Sequence, residues 1–154
     1  MGLNARSFAI DRALLEIRLS QLGERSSREI LAVMRDEAEQ IANLARQYAP
    51  VDDHFLEQAI EVVEDRGGIN TRTQVYVQVN PDAVDERGQS VLQYAALQHE
   101  LLGPYGAGIW RLGPKSREKD GGTGRVGGKF LERAVNERKR TISYRIEKIA
   151  RKVF

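Results

Sequence analysis

The chain has 154 residues, of which 41% are hydrophobic and 30% are charged, as expected for one globular domain spanning residues 1–154. It contains no cysteine, which excludes disulfides, cysteine-ligated metals and cysteine nucleophiles. No apolar run approaches the roughly 20 residues of a membrane helix, so no membrane contact is expected.

Charge is distributed unevenly along the chain. Residues 1–102 carry 10 Lys and Arg against 17 Asp and Glu, whereas residues 103–154 carry 14 against 5. The formal net charge of +2 is therefore the sum of an acidic part at −7 and a basic part at +9. This split favours two electrostatic poles and head-to-tail contact between copies, and nucleic-acid binding by the basic end is the alternative.

The first part of the chain predicts two helices. Apolar residues at helical spacing favour a short helix from Ser7 to Leu22, within an N-terminal helical arm of residues 1–25. A long helix then begins at the capping-box pair Ser26 and Glu29. It stops just before Pro50, because proline disfavours the helical conformation of the residue that precedes it.

A β-hairpin is predicted next. Residues 54–59 favour one more helical turn, with Asp52 or Asp53 as its cap. Residues 60–64 are strand-like and residues 66–70 form a turn signal. The second strand places every other residue on its buried face: Val75, Val77 and Val79. A lone hairpin is marginal in water, so this one has to pack on the helices or gain strands.

Two further helices are predicted, from Ser90 to Leu102 and from Lys129 to Phe154, the latter interrupted in its apolar spacing at Arg138. Residues 103–128 hold nine of the 14 glycines and predict a long flexible Gly-rich loop. The expected fold is therefore α+β, with long N-terminal and C-terminal helices packed on a small antiparallel sheet.

Three motifs begin like chemical signatures and lack a required part. His99-Glu100 opens like a zinc-protease helix, but Gly103 stands where the second histidine is needed. Residues 122–127 have the dinucleotide-binding spacing without a preceding strand. Residues 52–54 are interpreted as a helix start. We therefore expect no catalytic residue, no cofactor and no metal.

The glycine-rich loop carries the candidate contact residues. Its cations, separated by glycines, fit either DNA phosphates or salt bridges to an acidic neighbour, and its aromatic residues fit anchors in an interface. The candidate assembly or DNA-path contacts are Arg111, Lys115, Arg117, Lys119, Arg125, Trp110 and Tyr105.

Three short segments resemble those of phage tail-completion and minor tail proteins. Residues 50–60 are similar to a Pro-x-Asp-x-x-x-Leu-x-x-x-Ile segment that follows the first long helix in such proteins. Residues 94–100 are similar to Tyr-Ala-x-x-Gln-His-Glu, and residues 127–134 to Gly-x-Lys-Phe/Tyr-Leu-Glu-x-Ala. The residues that carry the resemblance are Pro50, Asp52, Leu56, Tyr94, Ala95, Gln98, His99, Glu100, Gly128, Phe130, Leu131 and Ala134. Order and spacing agree over roughly Ile30 to Ile149, so the chain resembles the family that includes the lambdoid tail-completion protein.

This resemblance implies a non-enzymatic structural protein of a long-tailed bacteriophage, made in the host cytoplasm and located in the virion tail or at the head–tail junction. It implies a homo-oligomeric ring, with a hexamer favoured, in contact with other neck, tail-tube or head-completion proteins and with packaged DNA. The alternatives are a head-completion or tail-terminator protein and, from another class, a DNA-binding regulator that uses the basic C-terminal helix. Asp53 and His54 stand where many relatives have Thr or Ser followed by Gly.

Overall fold

The computed structural model describes residues 15–17, 24–51, 53–67, 73–102 and 108–152. Helices and strands both occur in these ranges, which confirms the expected α+β class. In chain order the elements are β1 (Leu15–Ile17), α1 (Glu24–Tyr48), α2 (Phe55–Ala59), β2 (Ile60–Arg66), β3 (Thr73–Val79), α3 (Val91–Leu101), α4 (Pro114–Asp120) and α5 (Phe130–Ala150).

The two long helices α1 and α5 pack against each other and form the body of the molecule. They run antiparallel, because Tyr48 at the end of α1 contacts Glu137 near the start of α5, while Arg145 contacts Asp36 further back along α1. The buried side chains of α1 recur every three or four residues: Ile30, Met34, Ala38, Ile41 and Ala45. The expected end of α1 before Pro50 is confirmed, whereas the predicted capping box lies inside the helix.

A buried carboxylate lies between these helices. Glu37 is 0% exposed, and both of its oxygens accept hydrogen bonds from Arg138, each over 2.9 Å. Arg145 adds a third bond to Glu37 at 2.6 Å, and its hydrogen bonds to Asp36 and then Glu37 raise its pKa above the ordinary value. A buried charge is tolerated only when it is paired and hydrogen-bonded. Arg138, the residue that interrupts the apolar spacing of α5, is therefore the partner of the buried Glu37.

The sheet is antiparallel and has the strand order β1-β3-β2. Its inner face meets α1, and the three alternating valines of β3 are buried as predicted. Arg46 of α1 donates to the carbonyl of Ile60 over 2.6 Å, and Arg35 pairs with Glu64 over 2.6 Å. The hairpin is therefore stabilised by a third strand and by a helix.

The predicted N-terminal helical arm is wrong where the structure describes it. Leu15–Ile17 form strand β1, which pairs with β3 from Leu15 opposite Val75 to Ile17 opposite Thr73. The hairpin leaves one edge of β3 with unpaired N–H and C=O groups, and a further strand satisfies them where a helix does not. Residues 1–14 and 18–23, with most of the predicted arm, lie outside the described residues.

The turn before α2 also differs from the prediction. His54 precedes the helix in the left-handed conformation, with φ 64°, and makes no side-chain cap. Asp53 does not cap α2, because its carboxylate binds Lys115 over 2.6 Å. Asp52, the other predicted cap, lies outside the described residues, as do residues 68–70 of the predicted turn signal.

The predicted flexible loop contains a helix. Pro114 occupies the first turn of α4, and Gly121 ends the helix in the left-handed conformation, with φ 55°. This is the usual placement of proline at a helix start and glycine at a helix end. Residues 103–107 lie outside the described residues.

The buried ion pair generates a prediction for stability. Replacing Glu37 by Ala leaves Arg138 and Arg145 without their shared carboxylate, so the free energy of unfolding should fall by roughly 3 kcal/mol or more. Urea unfolding followed by circular dichroism measures this. The matched control is Glu29→Ala, which breaks only the exposed pair with Arg25 and should cost less than about 1 kcal/mol. Equal losses in the two variants would contradict the role of Glu37.

Candidate functional site

The three segments that resemble tail-completion proteins pack into one cluster, called the motif cluster below. They come from the start of α2, the length of α3 and the start of α5. The described residues that carry the resemblance and are buried are Pro50, Leu56, Ala95, His99, Gly128, Phe130, Leu131 and Ala134. Five of them belong to the main hydrophobic core: Leu56, Ala95, Phe130, Leu131 and Ala134.

Direct contacts join the end of α3 to the start of α5. The amide of Lys129 donates to the carbonyl of His99 over 2.9 Å, and the Lys129 ammonium binds both carboxylate oxygens of Glu100 at 2.7 and 2.8 Å. The His99 ring stands edge-on to Phe130, with centroids 5.1 Å apart and an angle of 80° between the rings. Residues that lie 30 positions apart along the chain are thereby held as one unit.

His99 is part of this packing rather than of an open site. It is 1% exposed, and its Nδ1 lies 3.0 Å from Glu100 Oε1. Burial raises the pKa of Glu100, but hydrogen bonds from Lys129 and His99 outweigh it and hold that pKa below its ordinary value. Among the described residues, no group of three or more His, Asp or Glu side chains is placed to hold a metal ion.

Helix α4 is fastened across the C-terminal end of α1. The buried Ser116 hydroxyl donates to the carbonyl of Val51 and accepts from its amide, both over 2.8 Å. Lys119 donates to the carbonyls of Arg46 and Ala49 at 2.5 and 2.8 Å and also pairs with Glu57. A cation at a helix C-terminus satisfies free carbonyls and complements the helix dipole.

The glycine-rich turn after α4 is organised by Asp120. Its carboxylate accepts the amides of Val126 and Gly124 at 2.8 and 2.9 Å, and these bonds lower its pKa. Glycines 122 and 124 have positive φ values of 78° and 70°, a conformation that other residues rarely adopt. The amides of Gly124 and Val126 are therefore already bonded to a carboxylate of the protein and are not directed to a bound phosphate.

The candidate contact residues of the loop fall into two groups. Lys115 and Lys119 are ion-paired within the chain, to Asp53 and Glu57. Arg111, Arg117 and Arg125 are exposed. Trp110 is 42% exposed and its neighbour Ile109 86% exposed, while Tyr105 lies outside the described residues.

The acidic and basic parts of the chain are paired with each other at several positions of the fold. Five cations of residues 103–154 pair with five carboxylates of residues 1–102. These pairs are Lys115–Asp53, Lys119–Glu57, Lys129–Glu100, Arg138–Glu37 and Arg145–Asp36. Without these five pairs, the net charge of residues 1–102 is −2 instead of −7, and that of residues 103–154 is +4 instead of +9. Most of the asymmetry is used to close the fold.

A cavity of about 210 Å³ lies beside the motif cluster. Leu56, Val91 and Tyr94 line it, together with the charged side chains of Asp53 and Glu86. It is smaller than the roughly 300–1,000 Å³ of small-molecule pockets.

No family model, no curated protein and no solved structure matches this chain. The resemblance to tail-completion proteins therefore depends on the three sequence segments alone. In the described ranges, none of the helices is long and apolar enough to cross a membrane.

Sequence reasoning missed Ser116 and the capping role of Lys119. The signal for α4 was available, because Gly113-Pro114 and Gly121 frame a seven-residue segment. No signal in the sequence indicated the partners of its side chains, because Val51 and Glu57 lie more than 60 positions away along the chain.

Acid sensitivity follows from the ion pairs of this region. Hydrogen bonds from Arg35 and Arg66 lower the pKa of Glu64 to about 2. Burial raises the pKa of Glu57, but hydrogen bonds from His54 and Lys119 bring it below its ordinary value. A carboxyl group with a depressed pKa stabilises the fold above its unfolded pKa and loses this contribution as the pH falls through its folded pKa. Stability should therefore be full above about pH 5 and should decline from pH 5 toward pH 2.

Urea midpoints measured between pH 7 and pH 2 test this dependence. Replacing Lys119 by Met removes one donor to Glu57, so stability should be lower at pH 7 and the decline on acidification shallower. The matched control is Arg117→Met, an exposed neighbour on the same helix, which should keep the pH profile of the original protein. A profile that is flat between pH 5 and pH 2 in the original protein would refute the proposed contribution.

Proposed function

We propose that this protein is a structural subunit of a long-tailed bacteriophage that acts in tail completion or head–tail joining. The observation that carries the proposal is the motif cluster. Its three segments are spread between Pro50 and Ala134, yet α2 packs on α3, and the Lys129–His99 backbone bond joins α3 to the start of α5. This convergence supports interpreting the three matches together.

The polar groups in and beside the motif cluster support a role in architecture. Lys129 and Glu100 bind each other and join α5 to α3, and Lys119 joins α4 to the end of α1. Asp120 binds the amides of its own turn. Groups of a type used in catalytic or phosphate sites thus hold the fold together here.

The segment before α4 supplies the candidate assembly anchor. Backbone bonds from Gly108 to Leu102 and from Trp110 to Leu101, at 2.7 and 2.9 Å, tie this segment to the end of α3. It presents Ile109 and Trp110 to solvent beside Arg111. Exposed tryptophan and arginine side chains on a fixed backbone are typical of interface hot spots.

Copies of the subunit assemble as a closed ring, with a hexamer favoured, in which one surface meets a different surface of the next copy. Neck, tail-tube or head-completion proteins lie on either side of the ring. A head-completion or tail-terminator role is the nearest alternative, since these proteins share the same architectural task.

Disruption of the gene in the source phage, followed by electron microscopy of the lysate, tests the role. We expect DNA-filled heads beside free, unjoined tails, because the junction cannot close without this subunit. Tails of abnormal length would instead indicate a terminator, and heads that lose their DNA would indicate head completion. Normal infectious particles would exclude all three structural roles.

Complementation of that disrupted phage tests the anchor. Trp110→Ser together with Ile109→Ser should reduce plaque formation strongly, since loss of a hot-spot anchor costs about 2 kcal/mol or more of binding. The matched control is Val84→Ser, which removes an apolar side chain that is 56% exposed elsewhere on the surface and should complement normally. Full complementation by the double variant would show that Ile109 and Trp110 are not an assembly contact.

A further inference from the structure

Several exposed cations lie on one side of α5 and at its C-terminal end, and this surface is called the basic face below. The basic face consists of Arg140, Lys148, Arg151 and Lys152, all of them exposed. Glu147 is a carboxylate that lies among them, so the face carries +3. Lys139 is exposed on another side of the helix, because nine positions separate it from Lys148.

The basic face lies opposite the buried side of the same helix. Ile142 and Ile149 are 7% and 8% exposed and belong to the core, whereas Arg140 and Lys148 point to solvent. Positions four apart form a column along a helix, at steps of about 6 Å. Arg140, Tyr144 and Lys148 form such a column, about 12 Å long, and Arg151 and Lys152 follow at the end of the helix. Tyr144, in the middle of it, is 66% exposed.

Most cations of the basic face form no ion pair within the described part of the chain. Among the residues that the structure describes, no carboxylate lies within ion-pairing distance of Arg140, Lys148 or Lys152. Arg151 pairs with Glu147 over 3.7 Å, in an exposed and loose geometry. The inward cations of the same helix, Arg138 and Arg145, are engaged by Glu37 and Asp36. The outer cations repel one another, and a polyanion would relieve that repulsion.

We propose that the basic face binds the sugar-phosphate backbone of duplex DNA without reading its sequence. Duplex DNA presents one negative charge per roughly 1.7 Å of its axis, so a column about 12 Å long can meet several phosphates at once. A second copy of this chain is a poorer match, because only −2 remains in residues 1–102. The inference deepens the proposed virion role by naming DNA as the ligand of a defined surface.

Fluorescence anisotropy with a labelled 30-base-pair duplex of arbitrary sequence tests the assignment. The full chain should bind at low salt, with affinity falling as salt rises at a log–log slope of about −3, as expected for three to four phosphate contacts. The double variant Arg140→Glu, Lys148→Glu should bind at least about 30-fold more weakly under the same conditions.

The matched control makes the same change in net charge elsewhere. Arg25→Glu, Arg87→Glu alters two exposed arginines outside α5 and should weaken binding by no more than about threefold, because screening limits distant charges. If circular dichroism shows that Arg140→Glu, Lys148→Glu does not fold, the neutral double variant Arg140→Gln, Lys148→Gln replaces it in the binding measurement. This neutral pair should reduce the magnitude of the salt slope by about 2.

Absence of binding by the unaltered protein at 50 mM salt would overturn the proposal, and so would equal losses in the two charge-reversed variants. Self-association that is lost only in the basic-face variant, without DNA binding, would assign the face to a protein partner and also overturn it. These outcomes leave the virion role standing. DNA binding combined with normal particles after gene disruption would instead support the basic face and overturn the virion role.

Discussion

The rest of the structure depends on the carboxylate of Glu37, which is buried between the two long helices and bound by Arg138 and Arg145. A buried charge has few favourable positions, so this contact sets the register of α5 along α1. Apolar side chains alone would permit sliding by a turn, since both helices repeat their buried residues at the same spacing. With the register set, the start of α5 meets the end of α3 and the basic face points outward.

The uneven distribution of charge along the sequence mainly serves ion pairs within the fold. Acidic side chains of α1 and of the segment that follows it receive their partners from α4 and α5, across 62 positions for Lys119 and Glu57 and 101 for Arg138 and Glu37. Opposite charges on the two parts of the chain favour their association, and like charges within each part disfavour premature pairing. Part of the positive charge that remains is then exposed on the basic face.

Two different surfaces of the molecule serve the two contacts that the proposed role requires. The motif cluster and the fastened α4 hold the segment with Ile109 and Trp110 at a fixed place on the surface, as a subunit in a closed ring requires. The basic face lies on a different part of the molecule, the exposed side of α5. A subunit with separate surfaces for protein contact and for phosphate contact fits a channel through which DNA passes.

Local patterns in the sequence determined the long helices and the inner face of β3. Pro50 ended α1, the Ser90 hydroxyl accepted the Gln93 amide at the start of α3, and both act within a few residues. They also supplied the three segments of the motif cluster, though not their convergence. Only the tertiary structure decided that Leu15–Ile17 form a strand, because an unpaired edge of β3 outweighs local helical spacing. It likewise decided which cations close the fold and which face outward, since a side chain's partner depends on elements that lie 60 to 100 positions away.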